Sequence, residues 1–364
     1  MKILCINTNG LNNDGITNSI LNYYSHMDKR DMIIHVLKTR ETKESIEQSF
    51  INIGIELKFT DYRTNFLSYL FKTTKLIRKE KYDIVHVHGS SALMSLDLLA
   101  AKIAGCKVRI AHSRNTSCKH KHLDKLLRPL FYTLCNVRFA CGEDAGKWLF
   151  QDRPFTVIKN GKDLDVFLFN PEMREIVREN YNWNGKTIIG HVGTFNYQKN
   201  HEFLVRVFSS LEILSPDYLL VLIGSGKGYN IIQDQVHDEK IDNKVFFMGS
   251  IDNISDILQG LDIMLLPSHF EGLPNVVLEW QAVGLPSIIS DKVTKECAVC
   301  DLVEFLPIDK GVEPWVNAIQ STGEVDRLEQ SKKAQKALSE NGYNIEQDAR
   351  ILKEIYLSLT NECK

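Results

Sequence analysis

The stretch Ser268–Trp280 reads SHFEGLPNVVLEW and follows directly on Asp262–Pro267, DIMLLP. A short unbroken apolar run such as Ile263–Leu266 has the pattern of a strand buried on both faces. Ser268–Leu273 then forms a tight turn. Pro274 suits the first turn of a helix, where a missing N–H is no loss. The segment is therefore predicted to be a strand end, a turn and a helix start. Glu271 falls on the loop at the strand's carboxyl end, and Glu279 lies roughly one turn into the helix. Amides after Glu271 are left without helical acceptors and offer a site for phosphate. A carboxylate such as Glu279 can accept two hydrogen bonds from vicinal hydroxyls, as dinucleotide folds do with ribose. Spacing alone does not separate this reading from a capping or solvated pair of acids.

The same unit recurs along the chain. Strand-like runs at Lys2–Asn7, Ile33–Lys38, Asp83–His88, Val108–His112 and Val137–Cys141 alternate with helical patterns such as Thr17–Met27, Asn65–Glu80 and Ala92–Ala104. A second series follows at Thr187–Gly193, Tyr218–Gly224, Val245–Phe247, Asp262–Pro267 and Ser287–Ser290. Its helices include Glu202–Leu214, Asn253–Gln259 and Asn275–Val283. This alternation predicts an α/β protein with two doubly wound parallel sheets, each covered on both faces. The polar segment Lys162–Lys186, with Asn170-Pro171 and Asn184-Gly185, loses both pattern and hydrophobicity and is expected to be the linker. The expected domains are 1–165 and 166–340, with 341–364 a C-terminal helix packing back toward the first. Two Rossmann-like sheets facing each other leave a central cleft along their carboxyl edges, the usual place for a ligand.

Composition narrows the function classes. A chain of 364 residues, 43% hydrophobic and 25% charged, has room for two cores. Its formal net charge of -2 gives no footprint of nucleic-acid binding. No apolar segment reaches the length of a bilayer span, and MKILCINTNG reads as a strand rather than a signal peptide. Of the eight cysteines, Cys5, Cys106, Cys135 and Cys141 sit in apolar contexts, as reduced core thiols do, so a cytoplasmic location is expected. Cys297 and Cys300 form a C-x-x-C without the second pair that a zinc site needs, and read as ordinary thiols. His86-Val87-His88 sets two imidazoles on one face of a strand end. With no third ligand in view, metal is the minor reading there. Gly224-Ser225-Gly226-Lys227-Gly228 lacks the full dinucleotide spacing, which argues against NAD.

Taken together, these motifs resemble the retaining family-4 glycosyltransferases of GT-B fold. The resemblance is carried by Glu271 and Glu279 with seven residues between them, Gly284-Leu285-Pro286, Ser290-Asp291, Gln198-Lys199-Asn200-His201 and Gly190-His191-Val192-Gly193. Asp14-Gly15-Ile16, Val85-His86-Val87-His88, Ala111-His112-Ser113, Cys141-Gly142-Glu143 and Ile158-Lys159-Asn160-Gly161 fall in the family's order, so the match spans nearly the whole chain. The most similar enzymes build bacterial capsule, exopolysaccharide or O-antigen chains.

The resemblance implies a set of roles. Glu271 would contact the donor sugar and Glu279 the ribose. Lys199 would neutralise the departing diphosphate, and His112 would lie against the donor sugar at the reacting centre. Gly15, Thr194, Gly224, Gly272, Leu273, Pro274 and Asn275 would line the donor site, with His88 and Arg114 on the acceptor side. No metal or other cofactor is implied. The chain departs from the pattern at three places. Asp14 stands where relatives often carry Gly, Thr194 where many carry Arg, and Trp280 where a small residue is usual. Arg114 could supply some of the missing charge.

The expected activity is transfer of a hexose, with retention, from a nucleotide-diphosphate sugar to a saccharide on polyprenyl diphosphate. A UDP-sugar is the expected donor, and front-side displacement the expected route. Two rivals stand beside it: a nucleotide-sugar epimerase of the same architecture, and a non-catalytic sugar-binding subunit. Lys119–Arg128 carries Lys119, Lys121, Lys125 and Arg128 with Leu123, Leu126, Leu127 and Leu130 at helical spacing. It reads as a helix with a solvated face, with peripheral membrane contact as the second reading.

Overall fold

The computed structural model describes residues 1–12, 14–38, 42–215, 217–251, 253–323 and 325–361. The last residues of the expected C-terminal helix, 362–364, and with them Cys363, lie outside the described residues. The chain divides into two compact units, Met1–Asp163 joined by the segment from Gly342, and Leu164–Asn341.

Unit 1 contains β1 (Lys2–Asn7), α1 (Gly15–His26), β2 (Ile33–Lys38), α2 (Glu44–Asn52), β3 (Glu56–Phe59), α3 (Phe66–Glu80) and β4 (Ile84–Gly89). It continues through α4 (Ser95–Ala104), β5 (Val108–Ser113), α5 (Lys121–Leu134), β6 (Val137–Ala140), α6 (Glu143–Phe150) and β7 (Thr156–Val157). Its seven strands lie in the order β3-β2-β1-β4-β5-β6-β7, all parallel. Unit 2 contains α7 (Pro171–Asn180), β8 (Thr187–Val192), α8 (His201–Leu214), β9 (Tyr218–Ile223), α9 (Tyr229–Asp238), β10 (Val245–Gly249) and α10 (Ile254–Gly260). β11 (Ile263–Leu266), α11 (Asn275–Ala282), β12 (Ser287–Ser290), β13 (Val303–Leu306), α12 (Glu313–Ser321) and α13 (Arg327–Glu340) complete it. Its six parallel strands run β10-β9-β8-β11-β12-β13. The last helix, α14 (Ile345–Asn361), belongs to unit 1.

Each sheet is covered on both faces, because every βαβ crossover lays a helix against it. In unit 1 one core joins residues of α1, α2 and α14 to the sheet, and a second joins residues of α3 to α6. Helix α14 shows why the chain returns. Ile345, Ala349, Leu352 and Tyr356 recur at the helical period and are all buried in the first of these cores. Unit 2 repeats the plan, with α8 and α12 in one core and α7, α10 and α11 in the other.

Three short strands, β3, β7 and β13, extend the sheets beyond the runs legible in the sequence. All lie toward sheet edges and are only partly buried, so their polar residues hide the apolar signal. The expected linker is a second difference, since Lys162–Lys186 contains a full helix. Asn170 is the N-cap of α7 and accepts from the Met173 amide at 3.1 Å, while Pro171 opens the helix. Asn-Pro is here a helix start and not a loop signal. Helix α7 is pinned to its sheet by ions: Arg174 and Arg178 converge on Asp262, whose Oδ2 also accepts from the Ile188 amide at 2.7 Å. Asp262→Ala would leave a half-buried and a buried guanidinium without their carboxylate and the Ile188 amide without its side-chain acceptor. It is expected to destabilise unit 2 by about 2–4 kcal/mol, read as a lower urea midpoint.

Candidate functional site

Both sheets reverse their strand order, unit 1 at β1/β4 and unit 2 at β8/β11. Loops that leave neighbouring strands in opposite directions at such a point splay apart, and open α/β sheets bind ligands there. In unit 2 the two loops are 193–200 and 267–274. They carry the lysine and the first glutamate singled out by the sequence.

The loops are laced together by polar contacts. The His269 amide donates to Gln198 O at 2.9 Å, and Asn200 Nδ2 donates to Pro267 O at 3.1 Å. Asn196 caps the short 3₁₀ turn Tyr197–Lys199 by accepting from the Lys199 amide. Asn200 sits at φ 54°, a left-handed position that asparagine tolerates better than most residues. Lys199 Nζ reaches Glu271 Oε1 at 2.7 Å, Ser268 Oγ donates to the same oxygen at 3.0 Å, and Gln198 Nε2 donates to Oε2 at 2.9 Å. Lys199 and Glu271 are 15% and 9% exposed, so their mutual attraction is only lightly screened. Glu271 has about four lone-pair sites, and three are in use here. Lysine has about three N–H donors, so Lys199 can hold Glu271 and still offer protons to a further anion.

Beside this pair, α11 begins at Asn275 with Pro274 as a cap that offers no side-chain acceptor. Pro274 thus stands one position before the first turn expected for it. Among the described residues the amides of Gly272, Leu273, Asn275 and Val276 find no acceptor, and Asn275 Oδ1 is buried without a partner. Glu279 is half-buried on the same helix. Gly224, at φ 146°, packs backbone on backbone. A Cβ there would lie 2.0 Å from Gly193 O, so only glycine lets the loops after β8 and β9 meet. Thr194, next to Gly193, is exposed and brings no charge. His191 and His201 lie edge to face behind these loops and are held neutral. Burial, then the neighbouring His201 ring and the Lys199 ammonium, push His191 well down, while burial and then Lys199 bring His201 to about 4.

Unit 1 gathers its predicted residues at its own carboxyl edge. His88 and His112 are register partners on β4 and β5. The third imidazole that the sequence did not reveal is His112 itself, since ligand atoms of His86, His88 and His112 lie within 4.8 Å of one another. His86 Nε2 meets His112 Nδ1 at 3.1 Å and His86 Nδ1 meets the Tyr356 hydroxyl at 2.7 Å, so both His86 nitrogens are engaged. Arg114 Nε lies 3.0 Å from His88 Nδ1. A guanidinium only donates, so His88 Nδ1 accepts and its proton sits on Nε2. The donor set therefore does not fit a divalent ion: one ring has no free lone pair, another presents N–H, and a cation stands beside them.

Arg114 also donates to Asn160 Oδ1 at 2.7 Å and Ser19 Oγ at 3.2 Å, both within unit 1. Asp14 proves to be the cap of α1, accepting from the Thr17 amide at 2.8 Å, and burial raises its carboxyl. Gly15 is the first residue of that already capped helix. Gln198, Ser268 and Tyr356 were given no role from sequence, and His86 only the minor metal reading. The first two and His86 lie within quoted motifs, whereas Tyr356 lies far along the chain and only the fold brings it in. Trp280 is wholly buried in the core behind α11. Cys297 and Cys300 each donate to an oxygen, Thr294 O and Gln281 Oε1, and the described cysteines are all free.

Two doubly wound parallel units, each with polar side chains gathered at its switch point, define a two-Rossmann α/β protein. A solved structure with this fold is HepE of Anabaena in complex with UDP. Its TM-score is 0.80 at 14% identity, covering 98% of this chain and 100% of that one. A model described as Glycosyltransferase Family 4 matches residues 13–166, and one described as Glycosyl transferases group 1 matches residues 173–345. The chain belongs to this glycosyltransferase family, and its fold is GT-B. Among relatives, EpsF of Bacillus subtilis, described as a glycosyltransferase, is 29% identical over 95% of this chain and 94% of its own. The UDP-Gal:alpha-D-GlcNAc-diphosphoundecaprenol alpha-1,3-galactosyltransferase of Escherichia coli is 28% identical over 80% of this chain and 79% of its own.

The unit 1 cluster makes stability depend on pH. Burial, with Arg114 and the neighbouring rings, holds His86, His88 and His112 well below the usual histidine range, so the folded unit keeps them neutral. Unfolded, each binds a proton below about pH 6.5. Asp348 acts in the opposite sense: burial, opposed by Lys159, brings its carboxyl to about 7, so the folded form holds a proton that the unfolded form releases. For this cluster and Asp348, three protons gained against one lost leave about two net, so together they are expected to lower the stability of unit 1 by roughly 2.7 kcal/mol per pH unit as pH falls from about 6 to 5, and His35, held down by burial, acts in the same sense. Urea midpoints across that range check it. Asp348→Asn should steepen the fall.

Proposed function

We propose that this glycosyltransferase moves a hexose from a nucleotide-diphosphate sugar, a UDP-sugar, to a saccharide acceptor on polyprenyl diphosphate, with retention at the anomeric carbon, in bacterial surface polysaccharide synthesis. One observation carries the reading. Glu271 is held by Lys199, Gln198 and Ser268 at the unit 2 switch point, beside a helix start whose amides have no acceptor among the described residues. A sugar nucleotide matches such a surface point for point, since its diphosphate suits a cation and free amides while its hydroxyls suit carboxylates. The relative from Escherichia coli supports the donor and acceptor, because its name states a UDP-sugar, a diphosphoundecaprenol carrier and an alpha product. In this reading the work is done at the cytoplasmic face of a membrane that holds such a carrier. No described helix is long and apolar enough to cross it.

In this reading Glu271 accepts hydroxyls of the donor sugar and Glu279 those of the ribose. The amides of Gly272, Leu273 and Asn275, with Gly224, Thr194 and Gly15, line the nucleotide diphosphate. Unit 1 takes the acceptor in this reading, through the residues at its carboxyl edge, His112, His88 and Arg114. The bond from the anomeric carbon to the phosphate oxygen breaks while the acceptor oxygen bonds to that carbon on the same face. The departing phosphate oxygen takes the acceptor's proton. Lys199 and the α11 amides then stabilise charge that appears only as the bond breaks, which is where an enzyme gains most. No metal is needed for this step, since the ammonium and amides supply the charge.

Glu271→Gln and Lys199→Ala should each lower the transfer rate by about two to three orders of magnitude with folding intact. Glu279→Ala should chiefly weaken donor binding. Quenched transfer assays and calorimetry with UDP check both, and wild-type turnover by either of the first variants would overturn the assignment. An acceptor-free NMR time course separates transfer from epimerisation.

A further inference from the structure

The helices α3, α4 and α5 cover one face of the unit 1 sheet and leave large apolar side chains in the open. On α3, Leu67 and Phe71 are 66% and 69% exposed, and Ile103 of α4 and Leu126 of α5 are likewise exposed. Helix α5 is turned outward relative to its sequence pattern. Phe131 and Leu134 face the core, while Leu123, Leu126 and Leu130 are exposed. Its Asp124 is drawn inward to accept from the Ala92 amide at 2.7 Å and to hold Arg128. Leu67, Phe71 and Ile103 line an open groove of about 610 Å³ whose remaining wall includes Lys75, Arg78 and Lys79. Residues 67, 71, 75 and 79 recur every four positions, so apolar and basic groups succeed one another along one face of α3. Among the described residues no carboxylate pairs with Lys75 or Lys79, although Lys72 is paired with Asp61. Basic charge thus concentrates here in a chain whose formal net charge is -2.

We infer that the α3–α5 face of unit 1 is a docking surface for an anionic lipid bilayer. Leu67, Phe71 and Leu126 enter the acyl boundary, and Lys75, Arg78, Lys79 and Lys125 meet the headgroups. The charges choose this occupant. A second copy of the chain would set one basic row against another, which is repulsive, whereas anionic headgroups complement it. Long lysine stems suit the arrangement, because they lie along apolar surface and still carry their charge to headgroup level. The use of this surface rests on the lipid-linked acceptor proposed above, but its chemistry does not.

The test is sedimentation of the full chain with phosphatidylcholine vesicles and with vesicles that also contain phosphatidylglycerol. Binding is expected to the anionic vesicles alone and should weaken with salt. Lys75→Gln/Lys79→Gln should lower the apparent affinity roughly 25-fold, at about fivefold per charge. Phe71→Ser should lower it about tenfold or more. Both variants should keep the wild-type thermal shift with UDP. Equal binding to neutral and anionic vesicles, binding to neither, or wild-type binding by the double lysine variant would overturn the inference. So would a dimer in solution that Phe71→Ser dissociates. Vesicle binding without any UDP shift would sink the donor reading and leave this surface standing.

Discussion

Reversal of strand order in a parallel sheet is the constraint from which the site follows. Helices must cross over in a right-handed sense, so strands added on opposite sides of the first one send their crossovers to opposite faces. The loops at that point separate, and the amides at the following helix starts are left without backbone acceptors. In unit 2 this brings Gln198–Asn200 against Pro267–Glu271, so residues some seventy positions apart share hydrogen bonds. Lys199 and Glu271 then compensate each other. A lone ion at this depth would carry a desolvation cost, and pairing with Ser268 and Gln198 as further donors offsets it. The pair also stores a capacity: a lysine with spare donors and a carboxylate with a spare lone pair are ready for an anion and a hydroxyl.

Much of this was legible because buried parallel strands are written as unbroken apolar runs. Asp262–Pro267 and Tyr218–Gly224 needed no tertiary information. What escaped shares one physical cause, that the deciding interaction is not local. β3, β7 and β13 are strands because a neighbour offers a ladder, not because ELKF, TV or VEFL favours one. The Asn170-Pro171 pair announces a helix as readily as a turn, and α7 forms because Asp262 anchors it from another element. In the site, Glu271, Lys199 and Glu279 were readable from motif and spacing. Their supports were not, since Ser268 and Gln198 look like ordinary loop polar residues until the carboxylate between them is seen.

The histidine cluster shows the same limit from the other side. His86, His88 and His112 were each visible, yet the sequence could not say that they meet, nor what their nitrogens do. Arg114 decides one ring, because a guanidinium beside Nδ1 forces the His88 proton onto Nε2. The remaining chain, Tyr24 to Tyr356 to His86 to His112, has two self-consistent proton orders, and each leaves His112 Nε2 with the opposite character. If the Tyr356 hydroxyl donates, His86 passes a proton toward His112 and Nε2 of His112 is a donor. If Tyr356 accepts, the order reverses and that nitrogen becomes a lone pair. Neutral rings are what tie the two ends of the chain together, because a charged His86 would donate from both nitrogens, to Tyr356 and to His112 alike, and the orientation of Tyr356 would no longer set the state of His112. Burial, which costs stability as the solution turns acid, is therefore also what holds the carboxyl edge of unit 1 to these two coupled hydrogen-bonding orders.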